Sequence, residues 1–78
     1  MSNKKKYDEA FKSIFEITDE QLPGLQYQSI PTWDSIGHMS LINEMEEAFD
    51  ISMETEDIVE FGSYEKGIEL LKKYGVEL

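Results

Sequence analysis

The sequence predicts an all-α fold, a four-helix bundle with three main helices, one short third helix and a long loop between helices 1 and 2. Apolar residues recur with the roughly 3.6-residue period of amphipathic helices. Residues that favour helix starts and stops flank these segments. No stretch of useful length alternates apolar and polar residues as a β-strand does. A length of 78 residues leaves room for one domain, residues 1–78.

Helix 1 is predicted over residues 5–18, because charged side chains fall on one face of such a helix and mostly apolar ones on the other. The mostly apolar face consists of Tyr7, Phe11, Ile14, Phe15 and Thr18. Residues 1–5 are predicted to be frayed. Pro23 and Gly24 then interrupt helical structure, and no helical period follows as far as Trp33. The apolar residues of this stretch indicate a loop that packs on the core: Leu22, Leu25, Tyr27, Ile30 and Trp33.

Helix 2 is predicted over residues 35–49, because Asp34 is a favourable N-cap and the residues after it form an apolar face with helical period. Glu44 and Glu47 are assigned to its exposed side, and Glu46 to the flank of that side. This helix therefore carries a concentration of negative charge.

The last two helices are shorter. Residues 56–61 are sufficient for one or two turns, and residues 64–74 form a final helix with Ser63 as its N-cap and Gly75 as its stop. Gly67 inside this helix costs about 1 kcal/mol relative to alanine, which indicates close packing.

Composition excludes several classes of function. A net charge of -10 disfavours nucleic acid and anionic membrane surfaces as partners and favours basic proteins. The absence of cysteine excludes disulfides, thiolate zinc sites and cysteine nucleophiles, and is compatible with a reducing, cytoplasmic setting. No apolar segment suits a signal peptide or a bilayer span.

Motifs for catalysis and metal binding also fail. Asp34, Ser35 and His38 lie within one turn of a helix start and cannot form a relay of acid, base and nucleophile. Residues 50–61 lack the glycine and the closing glutamate of a calcium loop. Two interpretations of Asp34 and Ser35 remain open. They are a simple helix start, or they place a hydroxyl where the helix dipole favours a phosphodiester.

Residues 34–42, Asp-Ser-Ile-Gly-His-Met-Ser-Leu-Ile, followed by Met-Glu-Glu-Ala-Phe at 45–49, resemble the attachment helix of the acyl carrier protein family. The similarity extends to residues 49–51, to the helix start at 56–58 and to Ser63 with Tyr64, and so covers nearly the whole chain. The resemblance implies a four-helix, free-standing, monomeric carrier that is not itself an enzyme.

The resemblance also implies a covalent cofactor. Ser35 matches the family's serine that receives 4'-phosphopantetheine from coenzyme A, and Asp34 matches the aspartate before it. A terminal thiol on that group carries acyl intermediates as thioesters in fatty acid, lipid or secondary metabolite biosynthesis. The expected partners are a phosphopantetheinyl transferase and acyl-loading and acyl-transferring enzymes with basic patches. They would dock on these residues: Ile36, Met39, Glu44, Glu46, Glu47 and Asp57.

Two positions depart from the family pattern, Gly37 and Trp33, and Trp33 stands where a small residue is common in the family and is interpreted as holding the loop to the core. Gly37 stands where many fatty-acid carriers have an acidic residue, and we interpret it as admitting a close partner or the arm. His38 is interpreted as a surface histidine, with a titrating charge beside the phosphodiester as the alternative. An aminoacyl, peptidyl or D-alanyl carrier is an alternative function, and an acidic helical module that binds a basic partner without the arm is another.

Overall fold

The computed structural model describes residues 2–78, and within that range all regular structure is helical, which confirms the predicted all-α class. An isolated bridge between Gln26 and Ser63 is the one β-type pairing in this part of the chain. None of the helices in the described range is both long and apolar enough to cross a membrane. In chain order the elements are α1 (Asn3–Phe15), a 3-10 helix (Asp19–Gln21), α2 (Ser35–Phe49), α3 (Thr55–Glu60) and α4 (Tyr64–Lys72).

The predicted bounds of α1 are wrong at both ends. The helix begins at Asn3 because the Ser2 side chain accepts a hydrogen bond from the Lys5 N–H, 3.1 Å away, so residues 3–5 are helical where fraying was predicted. Met1 lies outside the described residues. The helix ends at Phe15 because Glu16 adopts a left-handed conformation with φ 55°.

The other helices lie close to their predicted positions. The prediction for α2 is confirmed at both ends, and α3 begins and ends one residue earlier than predicted. Ser63 caps α4 by accepting from the Lys66 N–H at 2.9 Å, as predicted. After Lys72 the backbone forms hydrogen bonds between residues three apart, as in a 3-10 helix. It then turns at Gly75, whose φ is 81°.

The loop between α1 and α2 packs on the core, as predicted, and is tied to the start of α4. Its Leu22, Leu25 and Trp33 are buried. The Tyr27 N–H donates to the Gly62 carbonyl, and the Tyr64 N–H donates to the Leu25 carbonyl, both at 2.9 Å. These bonds give the loop a defined path although its longest part has no helix.

Aromatic rings dominate the core beneath this loop. Its largest fully buried side chains include Trp33, Tyr7, Phe11, Phe15 and Phe61. Gly67 completes the packing, because a Cβ there would overlap the Tyr7 hydroxyl and the Phe61 ring. The predicted close packing at Gly67 is therefore confirmed, and it accounts for a glycine inside α4.

Candidate functional site

The N-terminus of α2 exposes a serine hydroxyl on a firmly capped helix. The Asp34 carboxylate accepts from the Gly37 N–H at 2.8 Å, and the Asp34 carbonyl accepts from the His38 N–H at 2.8 Å. Ser35 is the first helical residue and is exposed. Among residues 2–78, no group accepts from the N–H of Ser35 or of Ile36, so the positive end of the helix lies beside the Ser35 side chain.

A tyrosine from the loop contacts that serine. The Tyr27 hydroxyl lies 3.2 Å from Ser35 Oγ, and either hydroxyl can be the donor. The Tyr27 ring meets Trp33 and His38 edge to face, with centroids 6.3 and 5.5 Å away. Sequence reasoning treated Tyr27 as an apolar loop residue and missed this contact, because nothing local in the sequence shows that the loop returns to the start of α2.

His38 joins the loop to α3 instead of lying free on the surface. Its Nδ1 is 3.0 Å from the Trp33 indole nitrogen, which can only donate, so Nδ1 accepts. The other nitrogen, Nε2, therefore carries the proton and donates to the Ile58 carbonyl at 2.7 Å. The interpretation of His38 as a surface histidine is wrong, since each nitrogen is engaged within the protein and the side chain is half-buried, and the alternative interpretation stays a prediction.

The space that a side chain at Gly37 would occupy is taken by other residues of the protein. A Cβ at this position would overlap the Thr32 backbone carbonyl and would come within 3.2 Å of the Phe15 ring. The interpretation that Gly37 admits a partner or an arm is therefore wrong: the close approach is made by the loop just before α2. Gly37 thus lets the loop pack tightly beneath Ser35.

A mostly apolar cleft of about 240 Å³ opens next to this arrangement. It is lined by Tyr27, His38, Val59, Phe61 and Gly62, so it lies between the loop, α2 and α3. Val59 is 76% exposed at its edge. Since Tyr27 lines the cleft and also contacts Ser35, the cleft adjoins the serine.

Three of the predicted docking residues lie on the outward face of α2, and Ser35 lies at the start of the same helix. Ile36, Met39 and Glu47 are spaced at helical intervals and are exposed, Ile36 to 79%. Ile36 and Met39 are an exposed apolar pair near Ser35, and Glu47 lies about three turns from Ile36 on the same face.

The other three predicted docking residues differ in their surroundings. Glu44 is half-buried and lines a shallow groove against α1, away from that face. The Glu46 carboxylate accepts from the Met53 N–H at 2.8 Å and so stabilises the loop after α2. Asp57 is only 3% exposed. Its prediction as a docking residue is wrong, because its carboxylate is directed into the protein.

Asp57 forms an internal polar cluster with the two residues that follow α4. Lys73 Nζ donates to its carboxylate at 2.7 Å, and the Tyr74 hydroxyl donates to its other oxygen. The Lys73 ammonium and, after it, the Tyr74 hydroxyl hold the pKa of Asp57 below its ordinary value of 3.8. The Tyr74 hydroxyl also accepts from the Glu54 N–H at 2.9 Å, so this cluster joins α3 to α4.

The residues around Ser35 suit a covalently attached phosphodiester better than a metal ion. They offer an exposed hydroxyl, two unpaired N–H groups and a second hydroxyl, all compatible with anionic oxygens. Within residues 2–78, no group of three or more histidine, aspartate or glutamate side chains is arranged to hold a metal. Comparison of the chain with protein-family models, with curated proteins and with solved structures found no match.

Proposed function

We propose that the protein is an acyl carrier, modified on Ser35 with 4'-phosphopantetheine. The observation that carries the proposal is the exposed Ser35 hydroxyl at the first position of α2, held beside unpaired N–H groups by the Asp34 cap. The order of motifs along the chain supports it, since they resemble those of carrier proteins throughout. The attached group would supply the thiol that this cysteine-free chain lacks and would hold acyl groups on it as thioesters.

In the modification, Ser35 is the nucleophile. Its Oγ–H gives its proton to a base of the transferase, and Oγ forms a bond to the phosphorus next to the pantetheine of coenzyme A. The bond from this phosphorus to the bridging oxygen breaks, and adenosine 3',5'-bisphosphate leaves. Solvent exposure lets the transferase reach Oγ, and the positive helix end stabilises the charge that develops on the phosphate oxygens.

Partner enzymes would dock on the outward face of α2. Ile36 and Met39 supply apolar contact, and Glu47 supplies charge that a basic patch would recognise. Glu44 and Glu46 lie to either side and add to the negative field. Since the net charge is -10, association with basic enzymes should be fast and should weaken as salt is added.

The test is intact-mass measurement after incubation with coenzyme A and a broad-specificity phosphopantetheinyl transferase. We expect the wild-type protein and a Ser52→Ala control, altered at an exposed serine outside the site, each to gain one phosphopantetheine group. Ser35→Ala should gain none. Absence of any gain in folded wild-type protein would overturn the proposal and favour an interaction module without an arm, and a gain in Ser35→Ala would overturn the assignment of Ser35.

A further inference from the structure

Tyr27 is the side chain of the loop that reaches the Ser35 hydroxyl. Its Oη lies 3.2 Å from Ser35 Oγ, which is longer than the roughly 2.5–3.0 Å usual between two hydroxyls and marks a weak contact. Its backbone N–H is fixed to Gly62, and its ring is held against Trp33 and His38. The Tyr27 hydroxyl is therefore held next to the serine by contacts that do not involve the serine.

The proposed modification would change which atom can donate in this contact. Before modification both hydroxyls carry a proton, so either can donate. Esterification removes the proton of Ser35 Oγ, and afterwards Tyr27 alone can donate. The acceptor is then an oxygen of an anionic phosphodiester bonded at Oγ, and hydrogen bonds to charged acceptors are shorter and about twice as strong as those between neutral groups.

A contact that strengthens as charge develops on the acceptor favours the transition state over the reactants. We propose that Tyr27 is a positioning residue for the modification of Ser35: its hydroxyl hydrogen-bonds Oγ before transfer and donates a hydrogen bond to an oxygen of the phosphodiester afterwards. This inference rests on the function proposed above. It adds a residue from the loop to a site whose other members all lie at the start of α2.

Tyr27→Phe is the variant that tests the inference, because it removes one oxygen and leaves the ring contacts with Trp33 and His38 in place. Tyr74→Phe is the matched control, since it removes a tyrosine hydroxyl that contacts Asp57 and not Ser35. Loss of one hydrogen bond predicts a kcat for transfer about 2- to 10-fold lower in Tyr27→Phe, with KM for the carrier within about twofold of wild type. Tyr74→Phe should have the kinetic constants of wild type below its melting temperature.

Two NMR measurements report the contact without relying on rates. In the unmodified protein, the chemical shift of the Tyr27 Cζ should change in Ser35→Ala, and that of the Tyr74 Cζ should not. In the modified protein, the phosphorus resonance of the phosphodiester should shift in Tyr27→Phe and not in Tyr74→Phe. A Tyr27→Phe protein with a wild-type kcat, an unmoved phosphorus resonance, or a Tyr27 signal indifferent to Ser35→Ala would each overturn the inference.

These outcomes are separable from failure of the proposed function. If the wild-type protein is modified and Tyr27→Phe behaves identically, the carrier function stands and Tyr27 has no part in it. If folded wild-type protein is never modified, both proposals are overturned together.

Discussion

Two tyrosine hydroxyls contact an oxygen-bearing side chain at the start of a helix, and they differ in what surrounds them. Tyr27 contacts Ser35 at the start of α2, where both residues reach the solvent. Tyr74 contacts Asp57 in the first turn of α3, where the carboxylate is 3% exposed and also binds Lys73. The first pair is open to a reacting partner, and the second is closed by the protein itself. Surroundings, and not residue type, therefore distinguish a candidate reactive group from a structural one.

Asp57→Asn should give the largest loss of thermal stability among the variants considered, while leaving the proposed modification of Ser35 intact. One carboxylate oxygen would become an NH2 group facing Lys73 or Tyr74, both of which donate. Differential scanning calorimetry at neutral pH measures the loss. Modification assayed well below the melting temperature should proceed at the wild-type rate, and a slower rate would contradict the separation of the two regions.

The same variant carries a pH signature. Because the folded-state pKa of Asp57 lies below its ordinary 3.8, the carboxylate contributes stability above that pH and loses it as the pH falls through the lower, folded-state value. Wild-type stability should therefore decline in acid below about pH 4. Asp57→Asn should show a shallower decline over the same range, and equal slopes for the two proteins would count against the cluster.

Gly37→Ala should be the next most destabilising variant. It alters the packing of the loop beneath Ser35. The new methyl group would overlap the Thr32 carbonyl, and overpacking of this kind costs about 1–3 kcal/mol, partly offset by about 1 kcal/mol of helix propensity. Gly62→Ala is the control, since its Cβ would meet its nearest neighbour, the Glu60 carbonyl, at 3.7 Å. Urea denaturation compares their free energies of unfolding. Equal values would show that the loop does not need to pack against Gly37.

Removing the hydroxyl of either tyrosine should give the smallest changes in the free energy of unfolding, and the two changes should differ. Tyr74→Phe removes a hydroxyl that donates to Asp57 and accepts from Glu54, and should lower the free energy of unfolding by about 1 kcal/mol. Tyr27→Phe removes a hydroxyl at the surface and should change it by less than about 0.5 kcal/mol. Denaturation of both variants in parallel tests this order, and a reversed order would mean that Tyr27 is mainly structural.

Local signals account for what the sequence predicted well. Both ends of α2 were predictable because Asp34 caps its start and the apolar face stops at Phe49. The capping serine of α4 follows from equally local chemistry, whereas the predicted end of α4 at residue 74 is wrong because the helix ends at Lys72. The end of α1 was not predictable in this way, because Glu16 adopts a left-handed conformation for which glutamate has no preference.

Two errors at the candidate site, those for Asp57 and His38, share a cause, which is contact between residues distant in the chain. Asp57 looked like an exposed acid in a short polar helix, but its burial depends on Lys73 and Tyr74, 16 and 17 residues later. His38 was assigned to the surface because its bond to Ile58, 20 residues away, leaves no sequence pattern. The position of Ser35 at the start of α2 and its Asp34 cap depend only on neighbouring residues, and both were predicted.

The ties between the loop and the start of α4 set an order of events during synthesis. Tyr27 is held by the Gly62 carbonyl, and Leu25 by the Tyr64 N–H. Both partners are translated well after Ser35, so a nascent chain that has just exposed the serine has not yet acquired the groups that hold the loop over it. The bonds that hold the loop can form only after residues 62 and 64 have been synthesised. The surroundings of Ser35 are therefore completed by residues that follow it by about 30 positions in the chain.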